Sequence, residues 1–284
     1  MKKVVIFIVV VLFIGLIACN GKDDNKQIER IDQLIDSFLN EKVSDYLYPF
    51  NRADFMLFRA LDLYQEHGFD FSFEEHISVS DYKELLADLT VDDFAGWNPY
   101  NNAFRFFSIA RSLGADASFF TSFMLASNFD TLPENSVPLL FMATQNQELL
   151  ELVYSYKPTD ADTTAFHLMA LSYDKGSDSY QTKVDEFMAF FIDNLGYGGI
   201  DGGWGINSCS TAMLVLALIA NDINPSIILY EGNSLIDILL AYYVDGGFSF
   251  EPDGEVDLMF STPQVFTALI MYRIFYKVGP LSLF

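Results

Sequence analysis

The stretch that most constrains this chain runs Asp201-Gly-Gly-Trp-Gly-Ile-Asn-Ser-Cys-Ser-Thr-Ala-Met-Leu-Val-Leu-Ala-Leu-Ile-Ala220. An acidic residue and two glycines lead to an aromatic, then to a polar cluster, then to a run that is apolar on nearly every side. Glycines permit positive φ and suit a sharp loop. The oxygens of Ser208, Ser210 and Thr211 can accept from the free N–H groups of a first helical turn. A helix without a polar face must be enclosed by protein all round, so a buried helix is predicted up to Ala220. Asn221-Asp-Ile-Asn-Pro225 stops it.

Such a helix needs companions, and the same device returns 44 residues later. Asp245-Gly-Gly-Phe-Ser249 repeats the loop, and Ser261-Thr-Pro-Gln264 leads into the apolar run 265–272. Pro263 suits a first helical turn, where its missing N–H costs nothing. Two irregular motifs at corresponding places form an internal repeat. Phe94-Ala-Gly-Trp-Asn98 reads as a worn copy, followed by a helix that stops at Gly114. The same reading places core-type helices from about 102, 136, 163, 210 and 263. Return helices are expected over 117–127, 148–156, 180–195 and 235–243. Upstream, apolar residues three and four apart predict helices over 28–39, 54–66 and 81–89. Residues 67–73 alternate and suit an extended segment. His67 and His76 stand near Glu66, Asp70, Glu74 and Glu75. A metal cluster is conceivable there, with solvated loop residues the plainer reading.

The first residues follow different rules. Lys2 and Lys3 precede the apolar stretch 4–17, which is shorter than the roughly 20 residues needed to span a bilayer. That is the pattern of a secretory signal. Leu16-Ile-Ala-Cys19 resembles a bacterial lipobox, in which the cysteine is lipidated after cleavage. The expectation is a signal peptide over 1–18, a tether over 19–26 and one domain over 27–284. The protein would then sit on the extracytoplasmic face, held to the membrane through lipid at Cys19. A formal charge of −23 repels phosphate backbones and argues against nucleic acid as a partner. Only two cysteines occur, so lipidation of Cys19 leaves Cys209 without a disulfide partner. At the start of an apolar helix Cys209 reads as a small buried residue.

The D-G-G-[WF] loop before an Ala/Leu-rich helix resembles the repeat of the squalene-cyclase and protein-prenyltransferase superfamily. The likeness extends over residues 95–284 and is closest to secreted bacterial proteins carrying such repeats. Intrinsic factor and transcobalamin are more distant. The resemblance implies an all-α fold, an α/α toroid with inner and outer rings of helices. Five core-type helices fall short of the family's usual six or so, so the ring is incomplete or open unless the earliest helices supply the missing one.

The same resemblance suggests chemistry, and each suggestion has a plainer counterpart. Thr159-Asp-Ala-Asp-Thr-Thr-Ala165 resembles the D-x-D-D-T-A motif of class II terpene cyclases, with Asp162 at the position of the proton donor. The neighbouring acid of that motif is Thr163 here. Asp160 and Asp162 equally suit the cap and dipole of a helix N-terminus. Zinc-dependent prenyl transfer needs a histidine downstream of Cys209, and none follows His167. Asp253, Glu255 and Asp257 are oxygen ligands that could hold calcium, or simply an acidic loop. Trp97, Trp204 and Phe248 could stack on a ligand or brace their loops. These readings leave three functions open. One is a binding protein that holds a small organic ligand, a corrinoid among them, or a protein partner at the toroid mouth. The others are a cyclase-like enzyme using Asp162 and a structural protein that recognises other envelope components.

Overall fold

The computed structural model describes residues 23–47, 54–94, 96 and 98–284. The expected signal segment, Cys19 and Trp97 lie outside the described residues.

The class is all-α. Helices α1 (Asp23–Glu41), α2 (Val43–Leu47), α3 (Phe55–Glu66), α4 (Val79–Ala87) and α5 (Pro99–Ser112) come first. Then follow α6 (Ser118–Leu125), α7 (Val137–Thr144), α8 (Gln147–Ser155), α9 (Ala161–Leu171) and α10 (Tyr180–Asn194). The last three are α11 (Ser208–Ala220), α12 (Leu235–Ala241) and α13 (Ser261–Val278). Strands among the described residues are two or three residues long and belong to the loops that feed α11, α12 and α13. They are β1 (Leu195–Gly196), β2 (Gly199–Asp201), β3 (Ile206–Asn207), β4 (Leu229–Tyr230), β5 (Asn233–Ser234), β6 (Tyr243–Val244) and β7 (Gly247–Phe248).

The apolar run behaves as its composition requires. Every residue of α11 is buried, and the helix is enclosed by α9, α13, α12 and β2. The odd-numbered helices from α3 to α13 each pack on the next of their kind, and α13 packs on α3. They run in one direction. Ser136, just before α7, bonds Asn98 and Asn101 at the start of α5. Cys209 Sγ lies 3.5 Å from Ser261 Oγ, so α11 and α13 start together. At the opposite ends Asn221 Nδ2 donates to Leu168 O at 2.7 Å, and Lys277 Nζ donates to His67 O at 2.9 Å. The even-numbered helices are the returns, and from α4 to α10 they bury one side only. In α10 that side carries Val184, Phe187 and Phe191.

Two expectations need correction, and one open alternative is decided. Helix α1 begins at Asp23, inside the stretch assigned to a tether. Its buried Ile28, Ile31, Ile35 and Phe38 recur every three or four residues, and Phe38 stacks on Phe266 of α13 at 3.9 Å. Residues 67–73 form no strand, although Ser72 has extended backbone. His67 caps α3, and a 3-10 turn follows at Phe73–Glu75. A sixth core helix exists as well. Asp54 caps α3 by accepting from the N–H groups of Met56 and Leu57, and α3 bridges α13 and α5.

One buried ionisable group interrupts the core. His167 on α9 stacks on Tyr156 at 3.9 Å, and its Nε2 lies 3.1 Å from Glu134 O. Burial pushes its pKa down to about 3. The unfolded chain takes up this proton near pH 6.5, and the folded chain does not until about 3. Stability therefore falls as pH drops through that window, by up to about 1.4 kcal/mol per pH unit from this group alone. Urea titrations of wild type and His167→Gln between pH 7 and about 4 should show the wild type losing stability with an extra slope approaching one proton, absent from the variant.

Candidate functional site

Three core helices begin with the same piece of chemistry. At α11, Asn207 Oδ1 accepts from Ser210 N at 2.8 Å, while Thr211 Oγ1 donates to Asn207 O at 2.7 Å. The same hydroxyl accepts from Ile200 N at 3.0 Å, tying the helix to strand β2. At α13, the Asp257 carboxylate accepts from the N–H groups of Met259, Phe260 and Ser261. Thr262 Oγ1 donates to Asp257 O at 2.7 Å and accepts from Phe248 N at 2.9 Å. At α9, Asp160 Oδ1 accepts from Thr163 N at 2.8 Å, and Thr164 Oγ1 donates to Asp160 O at 2.5 Å. An acid or amide closes the first turn, and a threonine one turn later locks it. Asp160 is thus a capping residue.

The lock also sets the register of the repeat, and it corrects the sequence alignment. Hairpin β1–β2 pairs Leu195 with Ile200 and Gly196 with Gly199. Hairpin β6–β7 pairs Tyr243 with Phe248 and Val244 with Gly247. Gly247 therefore corresponds to Gly199, not to Gly203. A Cβ on Gly199 would come within 2.2 Å of Thr211 Oγ1, and one on Gly247 within 2.7 Å of Thr262 Oγ1. Glycine is needed where the threonine touches the strand. Phe248 is then the counterpart of Ile200, and both are fully buried. Phe248 packs on Phe266 and Tyr243 as core, not as a ligand-facing ring.

Trp204 has a different place. It sits in the connection between β2 and β3 and is 88 % exposed. The corresponding connection before α13 ends in Leu258, Met259 and Phe260, all exposed. Because α11 and α13 start side by side, these four apolar side chains stand at one end of the core helices, here called the mouth. Exposed carboxylates belong to the same two connections, those of Asp201, Glu251 and Glu255 among them.

Asp162 is at the same end. It is the second residue of α9, with the Ser210 hydroxyl near its carboxylate. The residue is exposed to solvent, yet protein surrounds the carboxyl closely enough to raise its pKa by burial. Asp160 adds to the rise and Ser210 opposes it. The neighbouring Cys209 is buried, and burial pushes the thiol up to about 12, which leaves it unreactive.

The calcium reading fails on geometry. Asp257 spends its oxygens on amide N–H groups and the Ser261 hydroxyl. Among the described residues no three acid, histidine or cysteine side chains converge on a metal-sized space. That also covers His67 and His76, whose rings are apart from such a cluster. His76 instead stacks on Phe71 at 5.3 Å and meets Ser44 Oγ at 3.2 Å.

The interior end of the core is filled by the chain itself. Phe284 packs between Phe55 and Phe104, and Leu283 O accepts from Arg59 Nε at 3.0 Å. Both Leu283 and Phe284 are buried. Sequence reading missed this plug and the 258–260 ledge. The signal for the ledge was three successive apolar residues closing an acidic loop.

Compared with known family models, with curated proteins and with solved structures, the chain matches none.

The threonine lock is directly testable. Thr211→Val keeps the shape but leaves the buried N–H of Ile200 without its acceptor. Chemical denaturation should show a loss of about 1–3 kcal/mol, and Thr211→Ser should recover most of it.

Proposed function

We propose that the six core helices close as an α/α toroid and that the chain is a binding protein of the cell surface. In this reading Cys19 carries the lipid that holds it to the membrane, and the mouth holds a small organic ligand or a protein partner. One observation carries the reading. Trp204, Leu258, Met259 and Phe260 stand in water at the mouth of an otherwise well-buried core. Contiguous apolar surface rimmed by polar residues is a mark of recognition. Aromatic and methionine side chains are those enriched where partners dock. No helix among the described residues is long and apolar enough to cross a membrane.

A cyclase-like activity has one observation in its favour, the raised pKa of Asp162. Protonating an alkene also requires a site that keeps water from the carbocation. Asp162 is open to solvent and Phe284 fills the interior, so binding is the better reading.

Native mass spectrometry of the full chain, purified from its own source in mild detergent, should reveal a retained organic molecule or polypeptide. The variant carrying Leu258→Asp and Phe260→Asp, folded by circular dichroism, should lose it. Retention by that variant would move the site elsewhere. A cyclised isoprenoid product, abolished by Asp162→Asn, would establish the enzyme instead.

A further inference from the structure

A cleft of about 290 Å³ lies between α12 and the loops that lead into α11 and α13. Its walls come from separate pieces of chain. Tyr197 projects from the tip of hairpin β1–β2, Pro252 and Asp253 come from the loop before α13, and Tyr230 comes from β4. Asp237 and Tyr242 come from α12 and the residue that caps it. The Tyr242 hydroxyl donates to Gly198 O at 2.6 Å, which holds that ring against the hairpin. Tyr197 is 74 % exposed, so an aromatic surface is open to any ligand that enters.

The charges of the cleft have one sign. Asp237 accepts from Ser234 and Gln27, which fixes its carboxylate in place. The Asp253 side chain has no partner among the described residues, and its backbone takes a positive φ of 59° at the loop tip. Neither lysine nor arginine lines the cleft. Tyrosine faces present negative electrostatic potential, and carboxylates add full charge to it, so the cleft repels anions and attracts cations. Inorganic cations need several oxygens converging at about 2–2.6 Å, and among the described residues no three acid, histidine or cysteine side chains form a metal-holding group. Size restricts the ligand further. At the lower end of small-molecule pockets, the cleft accommodates a headgroup rather than a large flat cofactor.

We propose that this cleft is a second binding site, separate from the apolar mouth, for an organic cation: a quaternary ammonium, an alkylammonium or a guanidinium group held against Tyr197 and Tyr230 and neutralised by Asp253 and Asp237. The group can belong to a free small molecule or to a lysine or arginine side chain of a polypeptide. The chemistry is the same, and the source decides what the protein gathers.

The test titrates the full chain in detergent with choline, with trimethyllysine and arginine as blocked amino acids, and with sodium and calcium chloride at matched ionic strength. N-methyl proton shifts and tyrosine ring resonances are followed by NMR. At least one organic probe should saturate below about 10 mM, a weak but specific affinity. Tyr230→Ala and Tyr197→Ala should each weaken it about tenfold, and Asp253→Asn severalfold. The salts should leave the ring resonances unmoved. Preference for choline identifies a free small cation, and preference for the blocked amino acids a polypeptide side chain. Saturation by none of the organic probes, equal binding by the tyrosine variants, or stronger binding of calcium would each overturn the assignment.

Discussion

A helix that is apolar on every side depends on being wholly surrounded, and the rest of this molecule follows from meeting that demand for α11. Burying thirteen successive residues requires neighbours on all sides, which α9, α13, α12 and β2 supply. Each neighbour core helix has the same need in weaker form, so companions recur until the contact order returns to α3. Returns such as α10 are spared this demand because one side faces water. Apolar burial at roughly 25 cal/mol per Å² favours this arrangement, but it says nothing about how the chain enters each buried helix.

Entry is a polar problem. The first N–H groups of a buried helix cannot reach water, so each must find an acceptor within the protein. Asn207, Asp257 and Asp160 accept from them, and the following threonine turns the helix start back onto the preceding chain. Where a hairpin precedes the helix, the threonine also satisfies a strand N–H, and the touching residue must be glycine. The consequence for function is geometric. With helix starts pinned side by side, the connections before them are pushed outward at one end, carrying Trp204 and the 258–260 ledge into solvent. The space between α3 and α5 is taken by Phe284. The mouth and its flank thereby gather apolar surface, tyrosine rings and carboxylates close together along the chain.

Local signals carried far in the sequence. Helix starts near 136, 163, 210 and 263 fall within two residues of α7, α9, α11 and α13, because caps and apolar runs act over one or two turns. The capping reading of Asp160 rests on the same short-range chemistry. The site was less legible. Tyr197-Gly-Gly-Ile200 and Asp201-Gly-Gly-Trp204 are both plausible partners for Asp245-Gly-Gly-Phe248, and adjacent letters do not choose between them. The choice belongs to cross-strand pairing and to a threonine eleven residues downstream. For the same reason the sequence leaves Phe248 open between a ligand face and a brace, and the structure makes it core.

What the sequence determined by itself is the set of helices, their caps and the obligation of α11 to be enclosed, since each follows from residues within a few turns. Only the tertiary structure decided which glycine meets which threonine, which aromatic faces water, that α3 completes the succession and that Phe284 fills the interior. Those outcomes depend on contacts between residues tens to hundreds of positions apart, where the alternatives differ in packing and hydrogen bonding and not in local preference.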